Sequence, residues 1–154
     1  MAKELKEGAK APDFRMESTD GPVTLASFRG KPLVLYFYPK DDTPGCTTQA
    51  CGLRDNWAAL EQAGAVVLGV SPDSPARHAA FRAKYDLPFA LLADEDHAVA
   101  ERYGAWGEKS MYGKKYFGIL RTTYIIDGTG VVRHVFEKVK PKGHAGQVLD
   151  VLTA

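Results

Sequence analysis

Apolar residues run unbroken from Leu33 to Tyr38 (Leu-Val-Leu-Tyr-Phe-Tyr), with Pro32 and Pro39 at either end. A continuous apolar run of that length, closed by prolines, predicts a strand buried on both faces. Residues 65–70 form a second such run, 88–93 a shorter third and 122–126 a fourth. Asp127-Gly128-Thr129-Gly130 is turn chemistry ahead of residues 131–136, so the last two strands are predicted to pair as an antiparallel hairpin. Between the strands the apolar period lengthens to that of a helix. Ala50, Leu53, Trp57 and Leu60 mark a helix over 47–62, stopped by Gly64. Ser74-Pro75 supplies an N-cap and a first-turn proline for a helix over 74–85. Residues 96–103 and 143–152 complete the set. Strands alternating with helices, followed by a hairpin and a terminal helix, predict a three-layer α/β domain with a mixed central sheet. No linker, repeat or charge block divides the chain, so residues 1–154 are expected to form a single domain.

Composition narrows the function classes. Twenty basic residues against nineteen acidic ones leave a formal charge of +1. That balance creates no field for nucleic acid or an anionic membrane, so neither partner is expected. The basic stretches 109–115 and 138–142 are interrupted by Gly, Tyr, Val or Pro and read as solvated faces. The first residues, Met-Ala-Lys-Glu-Leu-Lys-Glu-Gly, carry charges where a signal peptide needs an apolar core. A cytoplasmic protein is therefore expected, and in a reducing compartment two cysteines are more often redox-active than a permanent staple.

Both cysteines fall in one segment, directly after the first buried strand: Pro39-Lys40-Asp41-Asp42-Thr43-Pro44-Gly45-Cys46-Thr47-Thr48-Gln49-Ala50-Cys51. A strand running through a short loop into a helix places that loop at the carboxyl edge of the sheet, where α/β proteins build their sites. Cys46 then sits in the first helical turn, where free N–H groups and the helix dipole favour a thiolate. It shares its helical stripe with Ala50, Leu53, Trp57 and Leu60 and so faces the sheet. Cys51, five residues on, is rotated by about 140° and its Cα lies roughly 8 to 9 Å away. A disulfide needs less than about 7 Å, so bridging the pair requires the first turns to unwind. The bland reading is two small buried apolar residues. Metal binding is disfavoured because His78, His97, His134 and His144 form no ligand pair in sequence near the cysteines, and they read as surface residues.

Arg121 interrupts the apolar strand 119–126 and shares a face with Ile119, Thr123 and Ile125. A charge there needs a partner, which a thiolate would supply, or a stem long enough to reach water. Thr43 offers a hydroxyl either to an incoming substrate oxygen or to the helix as a cap. Pro39 and Pro44 either shield the cysteine or only mark turns. Residues 104–118, with Trp106, Met111, Tyr112, Tyr116 and Phe117, are a candidate pocket rim, packing element or oligomer contact.

These residues form a pattern. Pro39-x-x-x-Thr43-x-x-Cys46, with Arg121 late in the chain, resembles the active-site signature of the peroxiredoxins. Cys46-x4-Cys51 with Thr-Pro-Gly ahead of it is similar to the bacterioferritin-comigratory, or Q-type, subfamily. The resemblance spans nearly the whole chain, from Gly8-x-x-Ala11-Pro12-Asp13-Phe14 through Phe28-Arg29-Gly30-Lys31 and Gly69-Val70-Ser71 to 121–127. It implies a thioredoxin-like fold, with Cys46 as peroxidatic and Cys51 as resolving cysteine. It further implies that Thr43, Arg121 and the Cys46 amide bind the peroxide, that Pro39 shields the thiolate, and that thioredoxin or a similar dithiol protein is the reductant. One departure is Gln49, where related sequences often have glutamate. The implied mechanism needs no metal, haem or flavin, and a monomer suffices because one chain holds both cysteines. Two other classes compete: a dithiol–disulfide carrier, whose expected signature is two intervening residues rather than four, and a redox-switched chaperone.

Overall fold

The computed structural model describes residues 5–154, so the charged segment 1–4 lies outside the described residues. The first buried run forms β3 (Leu33–Phe37), preceded by two short strands, β1 (Arg15–Ser18) and β2 (Val23–Thr24), that no apolar run announces. After β3 come α1 (Pro44–Asp55), α2 (Trp57–Gln62), β4 (Val66–Ser71), α3 (Pro75–Tyr85), β5 (Ala90–Ala93) and α4 (Ala98–Tyr103). A hairpin, β6 (Trp106–Met111) and β7 (Lys114–Ile119), leads to β8 (Thr122–Ile126), β9 (Val132–Phe136) and α5 (His144–Leu152).

Seven strands form one sheet in the order β2-β1-β5-β4-β3-β8-β9. β3 pairs in parallel with β4, and β4 with β5, whereas β8 runs antiparallel to both β3 and β9. The mixed sheet is thioredoxin-like, with helices on both faces. The alternation along β3 divides the core. Leu33, Leu35 and Phe37 face one layer with Tyr103 of α4 and Tyr124 of β8. Val34 and Tyr36 face the other, with Cys46 and Leu53 of α1, Phe81 of α3 and Val148 of α5. Gly69 of β4 leaves room for Tyr36: a Cβ there would lie 2.9 Å from the phenol oxygen and 3.0 Å from Leu91.

Two expectations are corrected. The helix over 47–62 begins earlier, at Pro44, and breaks at Asn56. There the side-chain amide folds back to donate to the Gly52 carbonyl, and the backbone leaves helical geometry at φ −106°, ψ 17°. The strand over 119–126 is likewise two strands, because Leu120 and Arg121 separate β7 from β8. Residues 104–118, a candidate rim, packing element or oligomer contact in the sequence, hold the β6–β7 hairpin, whose Tyr112-Gly113 turn has both φ values positive, as a tight hairpin requires. No helix among the described residues is long and apolar enough to cross a membrane.

Candidate active site

Strand register brings the distant parts of the site together. β8 pairs with β3 so that Thr122 stands opposite Phe37. Arg121, one residue before Thr122, therefore emerges at the sheet edge where β3 gives way to the loop toward α1. Pro44 and Gly45 open that helix, placing Cys46 third in its first turn, 2% exposed and packed beside Tyr36, Ala50 and Leu53. The N–H groups that open that turn lack helical acceptors.

The Arg121 guanidinium forks between two residues of α1. Its Nη2 donates to Cys46 Sγ at 3.3 Å and its Nη1 to Gln49 Oε1 at 2.5 Å. Gln49 is buried, and its Nε2 has no hydrogen-bond partner among the described residues. The close approach depends on Gly45, since a Cβ there would lie 3.3 Å from Arg121 Nη2. Lys109 of β6 lies on the same side, its ammonium donating to the Ile119 carbonyl at 2.8 Å. Burial and the neighbouring Arg121 lower its pKa, while Cys46 opposes that shift. Tyr36 titrates well above the ordinary phenol value, chiefly through burial and then through Cys46 and Asp41, so its hydroxyl stays protonated.

Thr43 precedes the helix at the N-cap position, but its hydroxyl donates to the Lys40 carbonyl at 2.8 Å rather than capping α1. Pro39 is partly buried at the start of the same loop. Cys51 lies on the same helix, half-buried, and both cysteines are free thiols. The Arg121 guanidinium thus joins Cys46, the partner the sequence suggests, to Gln49, which the sequence did not link to it. Thr43 and Pro39 stand on the loop leading to them, and Cys51 is held apart. Beside Arg121 opens a cleft of about 500 Å³, lined in part by Trp106, Lys109, Leu120 and Lys138. Trp106 therefore fits the expected rim, whereas Met111, Tyr112 and Phe117 point to solvent from the hairpin.

The reading of all four histidines as surface residues is overturned for two. His78 and His144 are buried. His144 bridges the Thr123 hydroxyl and the Gln147 side chain, and burial lowers its pKa. His78 meets Asp41 and Asp73, and these three side chains bring ligand-type atoms within 4.8 Å of one another. Protein partners already engage them: Tyr38 and His78 bond Asp41, while Ser71, Arg77 and the Asp41 amide bond Asp73. Spacing along the chain could not reveal this cluster, because it joins the β3–α1 loop to the start of α3.

Residues 8–135 match the model of the AhpC/TSA family. A putative peroxiredoxin bcp of Coxiella burnetii is 51% identical over 149 residues, covering 96% of this chain and 99% of the relative. Peroxiredoxin Bcp of Escherichia coli is 50% identical over 149 residues, covering 96% of each. Among solved structures, a cysteine-to-serine mutant of Xylella fastidiosa PrxQ superposes with a TM-score of 0.92 at 33% identity, covering 98% of this chain and 97% of that one. The bacterioferritin comigratory protein of Xanthomonas campestris, described for its alkyl peroxide reduction activity, gives 0.88 at 39% identity, covering 97% and 96%. The chain thus belongs to the AhpC/TSA family as a peroxiredoxin of the Bcp type, a thiol-dependent peroxidase, and its buried thiol in a first helical turn, bonded by an arginine, suits that chemistry.

Proposed function

We propose that Cys46 is the peroxidatic cysteine and Cys51 the resolving one, in a single domain of residues 1–154. The observation that carries this reading is the 3.3 Å contact between Arg121 Nη2 and the buried Cys46 Sγ in the first turn of α1. The Cys46 thiolate attacks the terminal oxygen of a hydroperoxide, the O–O bond breaks, and the leaving oxygen takes a proton to depart as water or an alcohol. Arg121 and the first-turn amides hold the two oxygens while charge moves onto the leaving one, and the Thr43 hydroxyl, whose hydrogen goes to the Lys40 carbonyl, accepts from the O–H of the hydroperoxide. Pro39 shields the thiolate from water.

The Cys51 thiol then condenses with the sulfenic acid, releasing water and forming the disulfide. Five residues of helix keep the two sulfurs apart, so the first turns of α1 must unwind for this step. Gln49 eases that change. Its Nε2 is buried without a partner, a cost of about 1–3 kcal/mol that hydration relieves when the helix opens. An external dithiol, thioredoxin or a protein like it, reopens the bond by exchange. Hydrogen peroxide and organic hydroperoxides are the substrates. A monomer suffices for the cycle, since one chain carries both cysteines. A reducing cytoplasm returns both cysteines to the thiol form that the cycle starts from.

Steady-state turnover of hydrogen peroxide with a thioredoxin system tests the assignment. Cys46→Ser abolishes turnover, and Cys51→Ser preserves the first oxidation but forms no intramolecular disulfide. A Cys46→Ser protein with undiminished peroxidase activity would overturn the reading.

A further inference from the structure

The loop between β3 and α1 carries a buried polar network that the reaction described above does not use. Asp41 is 2% exposed and His78 is 0% exposed. Burying such groups is costly unless each polar atom is matched. Here they are matched: Tyr38 donates to Asp41 Oδ1 at 2.6 Å, and Asp41 Oδ2 lies 2.6 Å from His78 Nδ1. On the far side of the ring, His78 Nε2 stands 2.9 Å from the Leu92 carbonyl of β5. That carbonyl only accepts, so Nε2 carries a proton. A second proton occupies the bond to Asp41, on the ring or on the carboxyl group. A hydrogen-bonded bridge thus runs from the central sheet through α3 to a residue five positions ahead of Cys46.

Neighbouring contacts strengthen the anchorage. The Asp41 amide donates to Asp73 Oδ2 at 2.8 Å, and Asp73 is itself held by Ser71 and Arg77. Burial alone would raise the Asp73 carboxyl, but these hydrogen bonds and the nearby His78 hold it below its ordinary value. Asp42, in the left-handed region at φ 57°, takes Lys84 and Tyr85 of α3 on its two carboxylate oxygens. Beyond the cysteines, Arg54 near the end of α1 donates to the Tyr85 carbonyl at 2.8 Å. α3 therefore grips the chain on both sides of the segment that holds Cys46 and Cys51.

We propose that Asp41 and His78 are positioning residues of the peroxidase: their buried hydrogen bond fixes the loop against α3 so that Thr43 and the first turn of α1 present a hydroperoxide to Cys46. The proposal rests on Cys46 being the peroxidatic residue. Misplacing reacting groups by about 1 Å costs on the order of 100-fold in rate, so a loosened loop shows in the oxidation step.

Two substitutions separate positioning from charge. Asp41→Ala leaves Tyr38 and His78 Nδ1 unmatched and frees the loop. Asp41→Asn keeps the bonding map, because its carbonyl accepts from Tyr38 and its amide donates to a neutral His78. Stopped-flow fluorescence of reduced protein mixed with hydrogen peroxide reads sulfenate formation and disulfide closure as separate phases, and thermal melts of the reduced variants report folding. Asp41→Ala slows the first phase by roughly 10- to 100-fold while leaving closure unslowed, and Asp41→Asn stays within about threefold of wild type. An Asp41→Ala protein that is folded and oxidises at the wild-type rate would overturn the proposal, as would equal losses in both variants. If wild-type Cys46 itself fails to oxidise, the peroxidatic assignment falls instead. Should Asp41→Ala not fold, His78→Gln is measured in the same way, and wild-type first-phase kinetics in it refute the proposal.

Discussion

Replacing Arg121 with methionine keeps a stem of similar apolar bulk and removes the guanidinium. Two bonds disappear: Nη2 to Cys46 Sγ at 3.3 Å, and Nη1 to Gln49 Oε1 at 2.5 Å. The first is charge-assisted once Cys46 is a thiolate, and such bonds contribute about 1.5–3 kcal/mol. At about 1.4 kcal/mol per tenfold, the bimolecular rate of Cys46 oxidation falls by roughly 10- to 150-fold. The second loss acts on stability. Gln49 already has an unpartnered Nε2, so removing the donor to Oε1 leaves a whole buried amide unmatched. That costs about 1–3 kcal/mol. The two effects separate in a double variant: Arg121→Met with Gln49→Met regains stability but not rate, since apolar groups of similar shape need no partners. Arg121→Lys falls between, because one ammonium cannot reproduce a fork that spans Sγ and Oε1. Stopped-flow oxidation of the reduced proteins and thermal melts give both quantities. An Arg121→Met protein that reacts within twofold of wild type would refute the reasoning.

Other consequences follow from packing and protonation. Gly69→Ala places a Cβ 2.9 Å from the Tyr36 hydroxyl and 3.0 Å from Leu91, and lowers stability by about 1–3 kcal/mol in denaturant melts. His144 is buried with a lowered pKa, so the unfolded chain binds its proton more readily and native stability declines as pH falls through about 6.5; His144→Gln flattens that part of the melting temperature against pH. Asp127 is held well below the carboxylate range by Thr129, the Val131 amide and Arg133, so its contribution is present above about pH 4 and is lost toward more acid pH. Asp127→Asn therefore lowers the neutral-pH melting temperature and weakens the acid-side slope.

Much of the fold was legible where one local signal was strong. Leu33–Phe37 reads as a doubly buried strand because all five residues are apolar, and α3 starts where Ser74 caps it, accepting from the Arg77 amide. Cys46 reads as a first-turn residue because a buried strand runs through a short loop into the helix that follows. The features that escaped depend on contacts between distant segments. Asn56 breaks α1 from α2 through a side-chain bond that helical periodicity does not register. Arg121 was assigned to the interior of a strand, yet it occupies the junction between β7 and β8, and the register of β8 on β3 carries it to Cys46. His78 reads as polar on the α3 helix and so as surface, but its ring is buried by a partner in the β3–α1 loop and another in β5. Hydrogen bonding to Asp41 makes the burial possible, and no spacing rule links residues 37 positions apart.

The account turns on one chemical event, the joining of two thiols that the folded helix keeps apart. Fully reduced protein receives one equivalent of hydrogen peroxide, its free thiols are counted, and its intact mass is taken. The prediction is rapid loss of both thiols with a decrease of about 2 Da, the two hydrogens given up as Cys46 joins Cys51. Two thiols surviving unchanged would contradict it.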